Sequence, residues 1–383
     1  MRTRLILAAA AALGIAACNG AGTSQSLPPG NAGASGEAAS TLIQPNSVDH
    51  TSVLKLLTKQ AVVGSTIDPG NGDQNPYGLA YVSGKPLGGG VLKKGDLVIC
   101  NFNDKNNVQG NGTTIDYMSS AVGSTPKTFK QNSQLQGCAS VVLNSFDAVY
   151  VADALAKNVT GLNAKGGITN TYKNSLLAEP WADAYIPSPL GYPPGDGVWA
   201  ADASTGKIIR INLAPQSGPP TYTAVISGLA VNHGKPGSIL GPSGMAYYGK
   251  TDTLYVIDGV TNTLVAFHKA FNDFNGANSV VVGSTGKTFT GPKAKDAKLI
   301  YAGSPLNGPI SAALLHNGNL VVGNTLDNNL VEIATDGTLL DTKSVDSGAV
   351  GALFGIVTVG SSDSTEKIYF NDDNANNVQV LEP

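Results

Sequence analysis

Charge is scarce in this chain. Of its 383 residues only 13% are Asp, Glu, Lys or Arg, about half of the roughly 25% usual in soluble domains. The net charge is −3 with no basic block, which excludes the electrostatic footprint of a nucleic-acid or anionic-membrane binder. Only four histidines and three cysteines are present. No two cysteines have Cys-x-x-Cys spacing, so dithiol redox chemistry is not expected. Also missing are the Gly-x-Ser-x-Gly elbow, a phosphate-binding glycine loop with its Lys, and the His pair of zinc proteases. Beyond the first residues no apolar run is long enough to span a bilayer.

What the chain has is a repeat. Six times a short strand ends in Asp or Asn and, after a polar turn, an apolar strand resumes: VICNFNDKNNVQ, VYVADALAKNVT, VWAADASTGKII, LYVIDGVTNTLV, LVVGNTLDNNLV and IYFNDDNANNVQ. The marker residues are Asn101, Asp153, Asp202, Asp258, Asn324 and Asp372, with spacings of 52, 49, 56, 66 and 48. A period near fifty built from strand pairs predicts an all-β fold, a six-bladed β-propeller with one copy per blade. Asp and Asn suit the marker place because their side chains bond the backbone two residues on. A turn device is the plain reading, and a ring of metal ligands is the other.

A second register runs in step with the first. Upstream of each marker stands a lead-in strand: PYGLAY from Pro76, CASVVL from Cys138, PWADAY from Pro180, PSGMAY from Pro242, PISAAL from Pro309 and LFGIVT from Leu353. Small residues near each start (Gly78, Ser140, Gly244, Ser311, Gly355) fit innermost strands crowding a central axis. The joint pattern, PxG followed by lYVaDxxNxxV, resembles the NHL repeat and related six-bladed propellers over residues 51–383. Pro242 to Phe267 is the clearest copy. Blade three departs most, with the insertion YIPSPLGYPPGDG. Thr51 to Leu57, TSVLKLL, is an apolar-rich candidate for the N-terminal strand that completes blade six and closes the ring, removing its open edge.

The N-terminus reads MRTR, then an apolar run from Leu5 to Ala17, then Cys18. This is the pattern of a secretory signal, residues 1–17. Ile15-Ala16-Ala17-Cys18 resembles the bacterial lipobox. The resemblance implies that Cys18 is lipidated and, with Asn19 after it, that the chain is held at the periplasmic face of the outer membrane; ordinary cleavage and free export is the alternative. Residues 18–50, rich in Gly, Ala, Ser and Pro, read as a flexible tether. The remaining cysteines, Cys100 and Cys138, fall on one face of adjacent blades, and export to an oxidising compartment favours a disulfide between them.

That same face gathers the marker turns and lead-in loops around the channel mouth. Tyr77, Trp181, Ser243 and Phe354, each one residue into its lead-in, are ligand-binding candidates there, although Tyr77 and Trp181 also suit a cap on the core. Propellers of the resembled class include calcium-dependent lactonases and a zinc lyase that uses histidines. His50 ends the tether, and His268 and His316 belong to the opposite face. His233 is then the only imidazole near the mouth, too few for a His-rich zinc site. Calcium accepts carboxylates and amides, so Glu179, with Asp202 or Asp258, is the candidate metal set, and the cluster Asn371 to Asn374 is a second. Two function classes remain open. One is a non-catalytic, monomeric module that binds a protein, glycan or small molecule, with the lipid anchor as its only membrane contact. The other is a calcium-dependent hydrolase or lyase acting at the mouth.

Overall fold

The computed structural model describes residues 48–84, 89–144, 146–188, 196–213, 218–233 and 241–383. The signal segment, Cys18, the tether up to residue 47 and residues 189–195 of the blade-three insertion lie outside the described residues. Among the described residues no helix is long and apolar enough to cross a membrane.

Six sheets, antiparallel but for one outer pair of the third, follow one another along the chain, and the innermost strands are the six lead-ins: Gln74–Tyr81, Cys138–Leu143, Pro180–Ile186, Pro242–Tyr248, Pro309–Leu314 and Leu353–Val359. The second strand of every blade ends at or just beyond its marker. The two sequence registers are cross-strand partners. Pro76 faces Asn101, Cys138 faces Asp153, Pro180 faces Asp202, Pro242 faces Asp258, Pro309 faces Asn324 and Leu353 faces Asp372. The chain is a six-bladed propeller.

Immediately after each of these pairs the register shifts. A bulge adds a residue to one strand and re-aims its side chain. Here the residue so placed is Tyr77, Ala139, Trp181, Ser243, Ile310 or Phe354. Neighbouring innermost strands then pass so closely that side chains are excluded at some points. A Cβ on Gly78 would lie 2.9 Å from the Ser140 backbone, and one on Gly355 would lie 2.5 Å from the Tyr77 carbonyl oxygen.

Apolar residues on facing sheets fill the spaces between blades. Leu97 and Ile99 of blade one meet Tyr369, Val378 and Val380 of blade six, all nearly or fully buried. Between blades one and two the core includes Cys100, Ile115, Val141 and Val151. It also contains the expected disulfide: Cys100 and Cys138 are bonded, with their Cα atoms 5.4 Å apart, inside the usual range for such a bridge. The bond ties the second strand of one blade to the innermost strand of the next.

An N-terminal strand does close the ring, but it is Lys59–Ser65, paired antiparallel with Asn377–Glu382, and not Thr51 to Leu57. The apolar positions of that earlier segment, Val53, Leu54 and Leu57, are spaced as on one turn of helix and not in alternation. All three are fully buried between blades five and six. The buried Glu332 carboxylate accepts from the Ser52 hydroxyl (2.8 Å) and from the backbone N–H groups of Val53 (3.1 Å) and Leu54 (2.8 Å). Those donors are thereby lost to any ladder.

The long spacing between Asp258 and Asn324 has its own cause. After the third strand of blade four, Thr263–His268, the chain runs back to the outer edge of blade three. There Val280–Val282 pairs in parallel with Thr221–Ser227, and Phe289–Thr290 follows. The chain then returns to complete blade four with Ala297–Ala302. Among the described residues blade three therefore has six strands where the others have four.

Candidate functional site

The bulged residues converge at the marker end of the channel. Tyr77 lies between Phe102 and Phe354, with ring centroids 4.3 and 3.9 Å away and nearly parallel planes, and Trp181 leans against it at 5.8 Å. Ala139 and Ile310 complete the cluster. Tyr77 and Trp181 are each 3% exposed and Phe354 5%, so this end is a packed aromatic plug. Of the expected ligand candidates, all four line one internal cavity of about 100 Å³ beneath the plug. The Ser243 hydroxyl donates to the Pro309 carbonyl, 2.8 Å away in the next blade.

The marker side chains bind the loops around them. Both oxygens of Asp202 are engaged: the N–H groups of Ala178 and Glu179 donate at 2.7 Å each, and Ser204 and Thr205 supply three more donors. Asp258 accepts from the N–H groups of Ala230, Val260 and Thr261. Asn324 accepts from Asn307 and donates to Pro305. Each of these three markers ties its own turn to the loop leading into its own blade.

Glu179 is half-buried beside Asp202. Burial first, and the neighbouring Asp202 second, push its carboxyl up to about 7. A calcium ion needs several free oxygen ligands, whereas the oxygens of Asp202 and Asp258 are already met by N–H and O–H donors. This donor set does not fit a calcium ion. Among the described residues no group of three or more His, Cys, Asp or Glu is arranged to hold a metal.

In the blade-six cluster, Asn371 donates to the Gly78 carbonyl of blade one (3.1 Å), and Asp373 accepts from Asn75 (3.2 Å). Burial raises Asp373 to about 8. The histidines are dispersed. His50 pairs with Asp336 at 2.8 Å, His268 bonds Thr253, and His316 contacts Glu366 and Asp363. His233 is exposed, with a left-handed backbone (φ 52°).

A residue the sequence reading passed over stands deeper in the channel. The fourth position of the lead-ins forms a ring around the axis: Leu79, Val141, Asp183, Met245, Ala312 and Ile356. Five are apolar and the sixth is a carboxylate. Asp183 is 3% exposed. One of its oxygens accepts from the Ser140 hydroxyl at 2.6 Å, and its own N–H donates to the same hydroxyl at 3.3 Å. The other oxygen, Oδ2, is buried without a hydrogen-bond partner. Burial raises its carboxyl to about 7, and the Ser140 bond opposes that rise. Stacking the six lead-ins in register exposes the exception, which a reading of each copy alone does not.

Asp183 borders the plugged cavity and also a second cup, of about 300 Å³, at the far mouth of the channel. Tyr81, Tyr185 and Tyr247, from the sixth position of their lead-ins, line that cup. Tyr185 donates to Asp196 (2.5 Å) and stacks on Tyr150, and Tyr247 donates to Asp252 (3.0 Å). Tyr81 stacks on Tyr369. Aromatic walls fixed from behind over one underpaired acid are the chemistry of a small-molecule site.

Known proteins resemble this chain in shape alone. No family model matches it, and no curated protein matches its sequence. Among solved structures, a gluconolactonase from Xanthomonas campestris superposes with a TM-score of 0.51 at 12% identity, over 81% of this chain and 87% of that one. A putative gluconolactonase gives 0.51 at 12%, over 85% and 91%. A Bacteroides thetaiotaomicron protein of unknown function gives 0.53 at 11%, over 84% and 75%. The likeness is one of fold.

Proposed function

We propose that this protein is a non-catalytic binding propeller of the bacterial cell envelope, lipidated on Cys18, whose ligand is a small molecule held in the far mouth of the channel. The observation that carries the reading is the far cup itself: three braced tyrosines above Asp183, the one charged residue that lines either cavity among the described residues. The engagement of Asp202 and Asp258 as turn anchors and the dispersal of the histidines argue against metal-assisted chemistry at the marker end.

Ligand screening of the full chain by thermal shift, followed by mapping with Tyr247→Ala, tests this. Hits whose binding is lost in that variant are expected. Hits indifferent to it would remove the cup from consideration. Labelled fatty-acid incorporation that disappears in Cys18→Ala tests the anchor, and unchanged incorporation would end it.

A second reading, a lactonase or related hydrolase or lyase, is favoured by the fold likeness to gluconolactonases and by Asp183. A buried carboxyl with a pKa of about 7 is placed for general acid–base work. Turnover of a lactone panel that vanishes in Asp183→Asn would establish this reading over the first.

A further inference from the structure

We propose that the far mouth selects ligands carrying an ammonium group, which docks on Asp183. The inference rests on the small-molecule reading above and adds the chemical class of the ligand. It starts from an asymmetry in the ring at the fourth lead-in position. Five blades present Leu, Val, Met, Ala or Ile toward the axis, and only blade three presents a charge. A carboxylate held among apolar walls with one oxygen unpaired is costly. The fold does nothing to relieve that cost: among the described residues no Lys, Arg or His lines either cavity, and the side chain's one hydrogen-bond partner is Ser140. A cationic group brings both the missing donor and the missing countercharge, and a charge-assisted bond in such a setting is about twice as strong as a neutral one.

The walls suit the same guest. Tyr81, Tyr185 and Tyr247 line the cup, and cations are attracted to aromatic rings. An anionic ligand would meet an acid and no cation. A neutral donor would bring the Asp183 oxygen a hydrogen bond but no countercharge. The groups facing Asp183 are Ser140 from the innermost strand of blade two, the buried Asp153 behind it on the second strand, and the uncharged Leu79, Val141, Met245 and Ile356 from the other innermost strands. Burial raises the Asp153 carboxyl well above the usual carboxylate range; the Thr160 hydrogen bond opposes that rise and the nearby Asp183 adds to it. Of the two carboxyls only Asp183 lines the cavities, and an ammonium guest should bind more tightly as the pH rises through about 7.

The experiment uses three probes of one shape, benzylammonium, benzyl alcohol and benzoate, titrated into the full chain by ligand-detected NMR. Asp183→Asn and Asp183→Val are run in parallel; the second places in blade three the residue that blade two has at this position. The proposal expects benzylammonium to bind best, more tightly at pH 8 than at pH 6, and to lose about tenfold or more in affinity in both variants. Melting curves at least as high as wild type would show that the variants are folded. If benzyl alcohol or benzoate binds as well as benzylammonium, at a site lost in Tyr247→Ala, the cup stands and its preference for cations is overturned. If no probe binds, or if benzylammonium binds equally to Asp183→Val, the proposal falls; in the first case the small-molecule reading falls with it.

Discussion

At the marker face Tyr77, Phe102, Phe354 and Trp181 stack into one another and shut the channel; at the far face Tyr81, Tyr185 and Tyr247 stand apart around a cup. The same six innermost strands supply most of both ends. The difference comes from the bulge after each lead-in residue, which throws the next side chain toward the axis on one side only. Beyond the bulge the register runs without a further shift, and the sixth-position tyrosines are braced from behind by Asp196, Asp252, Tyr150 and Tyr369. Aromatic residues thus serve as core at one end and as wall at the other.

The comparison can be broken most forcefully by truncating one ring at each end. Tyr77→Ala should cost about 3–5 kcal/mol, the usual range for deleting a large buried aromatic side chain, while the partly exposed Tyr247→Ala should cost about 1 kcal/mol or less. Chemical denaturation of the two variants decides, and equal losses would mean that the far tyrosines are also core. A smaller effect is expected at the plugged end from Cys100→Ser with Cys138→Ser. Losing a bridge between adjacent blades should lower stability by about 2–4 kcal/mol, and the same loss measured in reductant on the unaltered protein should match it.

The smallest effect sharpens the contrast from the open end. The folded Asp183 carboxyl, at about 7, lies above the unfolded value near about 3.9. The native state therefore binds that proton more tightly than the unfolded state does. Its contribution to stability is complete below about pH 4 and is lost progressively as the pH rises to about 7. Asp183→Val should then melt close to wild type at pH 4 and above it at pH 8. A constant difference across that range would mean that Asp183 does not titrate as its burial requires.

Much of this architecture was legible because each blade repeats one local solution. In four blades the marker carboxylate or amide binds the loop leading into its blade, as Asp202 does at Ala178 and Glu179, and in all six it faces the first residue of its lead-in, so the repeat marks every second strand. The disulfide followed from the same frame. Closure was read eight residues too early because TSVLKLL is dense in apolar residues; its spacing is that of a turn, and the N–H groups it would need for a ladder belong to Glu332, some 280 positions away. Such a partner has no local trace. The return of Val280–Val282 to the edge of blade three left only a long gap between markers. Asp183 escaped for another reason: a single acid in a strand is unremarkable until five apolar counterparts are set beside it around an axis.

The closing strand has a consequence for how the ring assembles. Lys59 donates to the carbonyl of Pro383, 324 positions along the chain, and its strand has no other partner in the sheet. A polypeptide crossing a membrane N-terminus first would expose this strand early and find its mate only after the intervening blades had emerged. Contacts of such long range close slowly, so the seam between residues 59–65 and 377–382 is where assembly should finish and where a competing strand would have the longest time to intrude.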